Sequence, residues 1–134
     1  VYVRWHTQEE LDQAYLIAQD KVKDYNVKFI KNYSVEAGKL IKDNSLDFVY
    51  IDGNHTFRYV VDDIDTWFHK VRSGGIISGH DYLRRRRPNN THIIQAVNGF
   101  VDSYSIKPYF ITDRPSELKG KNRDMARSWF FIKP

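Results

Sequence analysis

Four side chains in this sequence are of types that can hold a metal ion or move a proton, and they fall into two short clusters. Asp52 and His55 follow one apolar segment, and His80 and Asp81 follow another. Paired carboxylates suit a hard divalent cation, and a neutral imidazole can accept a proton near neutral pH. The residue types therefore allow metal binding, general-base catalysis or both, provided that the fold brings the two clusters together.

The elements that must position these clusters are two short strands and the helix between them. Residues 48–51 predict a buried strand that ends at Asp52-Gly53, and residues 76–78 predict a strand that ends at residues 79–81. Between the strands, apolar side chains recur at helical spacing, namely Phe57, Val60, Val61, Ile64, Trp67, Phe68 and Val71. Gly74-Gly75 is expected to break this helix. A strand–helix–strand unit pairs its strands in parallel, so both should end at the ligand-binding edge of the sheet.

The remaining chain predicts further helices and strands. The helices are residues 7–24, 34–42 and 91–104, and the strands are residues 27–31, 106–112 and 128–133. Thr7 and Glu10 fit a capping box, and Ser34 fits a helix cap. Pro108 is expected to place its strand at the sheet edge, where it pairs antiparallel with the last strand. Residues 113–127 are polar and predict a long exposed loop.

Composition limits the classes of protein that this chain can belong to. Its 134 residues are 41% hydrophobic and 28% charged, which predicts one globular domain. The alternation of predicted helices and strands indicates a three-layer α/β sheet. The absence of cysteine excludes disulfides and cysteine-ligated zinc. No apolar run reaches membrane-spanning length and no signal peptide is visible, so we expect a cytoplasmic protein without a membrane partner. A net charge of +4 is too weak by itself to indicate nucleic-acid binding.

Residues 46–82 resemble the second half of a class I S-adenosylmethionine-dependent methyltransferase. The segment reads LDFVYIDGNHTFRYVVDDIDTWFHKVRSGGIISGHDY, and it is similar to the branch with IDG-(D/N)-H after strand four and GG-x-x-x-x-HDY in strand five. The resemblance covers residues from about 20 to 134. It implies a three-layer, Rossmann-like sheet, mostly parallel, with a C-terminal antiparallel strand pair. None of the 7 glycines forms G-x-G-x-x-G, so the chain is expected to be the C-terminal portion of such a domain.

The resemblance also implies an activity and a metal. It implies methylation of a hydroxyl on a small substrate, assisted by Mg²⁺ or another divalent cation. Enzymes of the catechol O-methyltransferase type take one metal ligand from each strand end, which carries over to Asp52 and Asp81. His80 stands where several relatives have a second acid, which would favour Mn²⁺, Zn²⁺ or Fe²⁺. His55 stands at the spacing of the lysine base in those enzymes, so we expect His55 and Asp52 to be catalytic.

The cofactor is expected to lie on two turns. In the family the turn after the third strand contacts the adenine, which implies Asn32, Tyr33 and Ser34 here. Asp52 and Gly53 complete the implied cofactor site. Gly53 leaves room for a ligand to approach the backbone closely.

Each of these residues also has a plain structural interpretation, and the chain has two alternative functions. Asp52 can simply form a turn, His55 can cap the following helix, and His80 and Asp81 can hydrogen-bond the next loop. Arg84 to Arg87 can gather an anionic substrate, with Arg84 and Arg85 nearest the site, or be a solvated run. Alternatively, the chain is a non-catalytic module that uses these arginines to bind nucleic acid or an acidic partner, or a remnant that forms a homo-oligomer to cover its sheet edge.

Overall fold

The computed structural model describes residues 7–83, 91–112 and 126–134. The chain divides into two compact units, Val1–Asn32 and Tyr33–Pro134. Each unit is described by itself below, and the prediction of a single domain stays a prediction. No helix among the described residues has the length and apolar character to cross a membrane.

The first unit contains helix α1 (Gln8–Lys21), and its start confirms the predicted capping box. The Thr7 hydroxyl accepts a hydrogen bond from the Glu10 amide at 3.2 Å, and the Glu10 carboxylate accepts one from the Thr7 amide at 2.8 Å. The predicted strand at residues 27–31 is wrong, because this segment has no regular structure. A strand needs a hydrogen-bonded neighbour, and no strand in the described part of the chain pairs with this one.

The second unit is a four-stranded sheet with helices. Its elements are α2 (Ser34–Lys39), β1 (Leu46–Ile51), α3 (Phe57–Lys70), β2 (Val71–Gly79), α4 (Ile93–Ser103), β3 (Tyr109–Ile111) and β4 (Trp129–Ile132). The strand order is β1-β2-β4-β3. Strands β1 and β2 are parallel, whereas β4 is antiparallel to both of its neighbours. The predicted α/β class, the parallel strand–helix–strand unit and the closing antiparallel pair are confirmed, and β3 lies at the sheet edge as Pro108 predicted.

Strand β2 begins earlier than predicted, because Gly74-Gly75 lie inside it instead of before it. Leu46 pairs with Val71, but Phe48 pairs with Ile76, so the register is irregular between these two pairs. Gly74 adopts a φ of 75°, a left-handed conformation that glycine reaches without a steric penalty. The glycines therefore form a bulge that lets the strand start directly after α3. Helix α2 is shorter than predicted, since it ends at Lys39.

The hydrophobic core lies between one face of the sheet and helices α3 and α4. Its fully buried side chains include Ile64, Val97, Ile77, Phe131 and Trp129. Residues 48–51 predicted a buried strand, but β1 is covered on one face only, since Phe48 is 54% and Tyr50 46% exposed. The register places Phe48 beside Ile76, and Ile76 beside Ile132, on the face opposite the core. A strand with apolar residues on both faces can thus have one face packed on the core and the other half exposed to solvent.

Substituting Gly79 with alanine is expected to loosen the contact between β2 and β4. An added Cβ would lie 2.6 Å from Cζ2 of buried Trp129 and 2.7 Å from the Ile51 carbonyl oxygen. Overpacking of this kind destabilises a core by about 1–3 kcal/mol, which urea denaturation would measure. In the matched control, Gly99→Ala in α4, the added Cβ meets nothing within 4 Å. Helix propensity predicts a gain of up to about 1 kcal/mol there, and equal effects of the two substitutions would contradict the packing.

Candidate functional site

The two chemical clusters meet at the carboxyl edge of the parallel pair. Strand β1 ends at Ile51 and β2 ends at Gly79, and these two residues are register partners. The His80 amide then donates a hydrogen bond to the Ile51 carbonyl at 3.0 Å, so the pairing continues into the site. As a result, Asp52 and Asp81 emerge side by side at the same rim of the sheet.

His55 reaches across to the second cluster. Its Nε2 lies 3.1 Å from Oδ2 of Asp81 and 3.7 Å from Oδ1 of Asp52. The Asp81 side chain is only 8% exposed, whereas that of Asp52 is 55% exposed. The suggestion that His55 caps the following helix is wrong, because Thr56 is the N-cap of α3 and the first turn of this described helix has no side-chain cap. His55 instead forms a histidine–aspartate pair that is largely shielded from water.

Asp81 sits in an unusual backbone conformation. Its φ of 55° is in the left-handed region, which is uncommon for residues other than glycine and clusters at functional sites. The neighbouring Tyr82 amide donates to the Arg127 carbonyl at 2.8 Å, and the Tyr82 hydroxyl donates to Asn98 at 2.8 Å. These contacts anchor Tyr82, the residue after Asp81. They therefore help to hold the Asp81 carboxylate close to His55.

Asp52, His80 and Asp81 together offer a set of metal-ligand atoms. One ligand atom from each lies within 4.8 Å of the others. Nδ1 of His80 is 3.9 Å from Oδ1 of Asp52 and 3.8 Å from Oδ2 of Asp81. Two carboxylates and one imidazole suit Mn²⁺, Fe²⁺ or Zn²⁺. The predicted metal ligands therefore converge and their chemistry fits a divalent cation, although the same Asp81 oxygen also faces His55.

A cavity of about 340 Å³ lies beside this cluster. It is lined by the last residues of β1, by Asp52-Gly53, and by Ser34, Asp63 and Trp67. The predicted cap at Ser34 is wrong, because the N-cap of α2 is Tyr33 and this described helix start has no side-chain cap. The Ser34 hydroxyl accepts a hydrogen bond from Trp67 Nε1 at 2.8 Å instead. Ser34 is thus committed to joining α2 to α3 at the cavity wall.

The remaining predicted site residues are Tyr33 and Asn32 for the cofactor and Arg84 and Arg85 for the substrate. Tyr33 is 85% exposed, and Asn32 belongs to the first unit. The predicted substrate residues Arg84 and Arg85, with the rest of the arginine run to Arg87, lie outside the described residues. Most of the predicted loop at 113–127 lies outside them as well.

Sequence reasoning missed Asp63, a carboxylate in the middle of α3. It is 6% exposed, and burial raises its pKa, an effect that a hydrogen bond from Ser34 partly offsets. Asp63 lies three residues after Val60 and one before Ile64, both of which are buried. A single acidic residue on the apolar face of a predicted helix was the available signal, since buried acids are rare unless they have a partner or a function.

Asp63→Asn is expected to stabilise the fold at neutral pH. Below the ordinary aspartate pKa of 3.8 the carboxyl is protonated in both the folded and unfolded states, so the variant differs little from wild type. As the pH rises above that value, the unfolded chain releases its proton first, so the wild type loses stability relative to the variant. Urea denaturation at about pH 7 and about pH 4 would show a gain at the higher pH that shrinks at the lower one. A variant that is less stable than wild type at pH 7 would contradict this account.

Comparison with known sequences connects this site to a family. The family model described as a methyltransferase domain matches residues 2–82, which include α1 through β2 and both clusters. An uncharacterised protein of Acanthamoeba polyphaga mimivirus is 36% identical over 80 residues. That match covers 57% of this chain and 35% of the viral protein, so the chain spans about a third of the length of this curated relative.

Comparison with solved structures agrees on the fold. An rRNA methylase from Streptococcus thermophilus superposes with a TM-score of 0.62 at 8% identity, over 95% of this chain and 69% of that one. Precorrin-6y C5,15-methyltransferase from Geobacter metallireducens gives 0.60 at 13% identity, over 96% and 66%. A Streptococcus mutans protein solved in complex with SAH gives 0.59 at 11% identity, over 96% and 72%. At these identities the likeness establishes a shared Rossmann-like α/β fold.

Proposed function

Since the chain belongs to the methyltransferase-domain family, we propose that it is part of an S-adenosylmethionine-dependent methyltransferase. The proposed enzyme methylates a hydroxyl of a small substrate. The observation that carries the proposal is the 3.1 Å contact between His55 and Asp81 at the carboxyl edge of the sheet. A histidine held by a carboxylate is suited to remove a proton from a hydroxyl near neutral pH. Ligands of open α/β sheets bind at this same edge.

The cofactor is proposed to occupy the cavity beside Asp52-Gly53. The volume of about 340 Å³ falls within the range of roughly 300–1,000 Å³ for small-molecule sites. Gly53 has no side chain, so a ligand can approach the backbone at the end of β1. The SAH complex of the Streptococcus mutans protein, which shares this fold, supports the choice of S-adenosylmethionine. Tyr33 and Ser34 stay proposed contacts for its adenosine end.

His55 is proposed to be the general base. If Nε2 carries the proton that faces Asp81, the lone pair of the ring lies on Nδ1, which can take the proton of the substrate hydroxyl. The freed oxygen attacks the methyl carbon in line, the carbon–sulfur bond breaks, and its electron pair stays on sulfur to leave S-adenosylhomocysteine. The protonated imidazole is then stabilised by Asp81 and Asp52. The remaining contribution of the protein is to align the two reactants.

A divalent cation is proposed to assist this step. Asp52, His80 and Asp81 would hold it, with Mn²⁺ or Fe²⁺ preferred over Mg²⁺ because one ligand is an imidazole. When bound, such an ion supplies Lewis-acid polarisation of a hydroxyl oxygen. Arg84 and Arg85, which follow this cluster in the sequence, are proposed to attract an anionic substrate to the same edge.

Cofactor binding is the direct test of the proposed function. In isothermal titration calorimetry the complete protein is expected to bind S-adenosylhomocysteine, and Asp52→Ala is expected to weaken binding at least about tenfold, the loss of about 1.4 kcal/mol. Asp47→Ala is the matched control, since this aspartate lies in β1, the strand that Asp52 follows, is 82% exposed and pairs with Arg72. Absence of binding by the complete wild-type protein would end the proposal.

His55→Ala tests the base. Transfer of labelled methyl groups to a panel of phenols and catechols is expected to slow by about 10²–10⁴-fold, while affinity for S-adenosylhomocysteine is retained. His69→Ala is the control, because His69 lies on the exposed side of α3. Treatment with EDTA should lower the same rate, and Mn²⁺ should restore it. Full turnover by His55→Ala would exclude the base assignment but leave the cofactor assignment standing.

A further inference from the structure

A second cavity lies between the end of helix α4 and the start of strand β3, and the proposed methyl transfer does not use it. Its volume is about 410 Å³, larger than the cavity of about 340 Å³ beside β1, and the two share no lining residue. Small-molecule sites in proteins have volumes of roughly 300–1,000 Å³. The second cavity is therefore large enough to hold a ligand of its own.

The turn that follows α4 gives this cavity a fixed shape. The Ile106 amide donates a hydrogen bond to the Val101 carbonyl at 2.8 Å, which closes the end of the helix. The Ser105 amide donates to the Asp102 carbonyl at 3.0 Å, and Ser105 has a φ of 54°. This pair of bonds around a left-handed residue is a Schellman motif, in which the chain folds back on the last helical turn. Val101 and Ile106 are buried and line the cavity, so the motif sets the position of its apolar wall.

Asn98 brings hydrogen-bond donors to the wall of the cavity. Its Oδ1 accepts a hydrogen bond from the Tyr82 hydroxyl at 2.8 Å and one from the Tyr109 hydroxyl at 3.4 Å. The two N–H groups are on the other branch of the same amide. Within the part of the chain that the structure describes, these N–H groups have no acceptor. The tyrosines thus hold the amide by its oxygen and leave its donors available to a ligand.

Two side chains of opposite charge line the same cavity without pairing with each other. Asp102 lies one helical turn after Asn98 and so on the same side of α4, and Lys107 directly follows buried Ile106. Neither Asp102 nor Lys107 forms an ion pair within residues 7–83, 91–112 and 126–134. A ligand that carries a positive and a negative group can satisfy both charges at once.

We propose that this cavity binds a free α-amino acid with an apolar side chain. The ammonium group of the ligand binds Asp102, and its carboxylate binds Lys107 and the N–H groups of Asn98. Hydrogen bonds between charged groups of this kind are shorter and stronger than neutral ones. The side chain of the ligand packs on Val101 and Ile106. A ligand with one charge would leave Asp102 or Lys107 unmatched, so the zwitterion is preferred to a simple amine or acid. This inference does not depend on the proposed function.

The test is an NMR titration of the isotope-labelled complete protein with L-leucine and with two analogues that each lack one charge, N-acetyl-L-leucine and L-leucinamide. L-leucine is expected to bind with a Kd of about 1 mM or tighter and to shift the amide signals of Gly99 and Ile106. Each analogue should bind at least about tenfold more weakly. Asp102→Asn should weaken the binding of L-leucine to a similar degree. Asp65→Asn is the matched control, since this aspartate of α3 is 57% exposed and faces His69.

Gly99→Leu tests whether the ligand occupies this cavity. A Cβ added at Gly99 meets nothing within 4 Å, and leucine is a better helix former than glycine, so the variant is expected to fold and to lose L-leucine binding. Asp52→Ala, which changes the other cavity, should bind L-leucine as the wild type does.

Three outcomes would overturn the inference. The first is no shift of any wild-type signal at about 10 mM L-leucine, roughly tenfold above the expected Kd. The second is equal binding of L-leucine and its two analogues. The third is binding that persists in Gly99→Leu but is lost in Asp52→Ala, which would place the amino acid beside β1. Each of these leaves the proposed function intact, because that function is tested separately by the binding of S-adenosylhomocysteine.

Discussion

Parallel hydrogen bonding between β1 and β2 is the constraint on which the rest of the site depends. Because Ile51 pairs with Gly79, the next residues of both strands leave the sheet at one rim. A one-residue slip would turn the side chains of one strand to the other face of the sheet, so the residues that follow the two strands would no longer meet in this arrangement. Gly79 packs closely against buried Trp129, and the register is irregular only before Phe48, near the bulge at Gly74.

The site concentrates negative charge. Asp81 and Asp63 are both buried, and Asp52 follows the end of β1, close to Asp81 and on the wall of the same cavity as Asp63. Buried carboxylates are unfavourable unless they have partners, and the partners here are His55 for Asp81 and Ser34 for Asp63. Both pairs join a strand end or a helix to a neighbouring element, so the arrangement that satisfies the charges also fixes the geometry of the pocket. A pocket of this charge would attract the cationic sulfonium of the proposed cofactor.

The errors of sequence interpretation have a common physical origin, which is that periodicity reports residue type and not what covers a residue. Residues 27–31 alternate as a strand does, but a strand exists only with a hydrogen-bonded partner. The apolar run in β1 indicated burial on both sides, whereas Phe48 and Tyr50 are half exposed. Gly74-Gly75 indicated a break between elements, although glycine serves equally well as a bulge inside a strand.

Local chemistry and spacing were sufficient to predict the strand–helix–strand unit, the capping box and the convergence of Asp52, His55, His80 and Asp81. Each of those predictions depends on residues near one another in sequence or on the fixed handedness of parallel connections. Contacts between distant residues could not be predicted in this way. The bond from Trp67 to Ser34 spans 33 positions, and neither it nor the choice of Asp81 as the partner of His55 follows from any local pattern. Such pairs are set by how helices and strand ends pack together, so only the folded chain identifies Asp63 as part of the pocket.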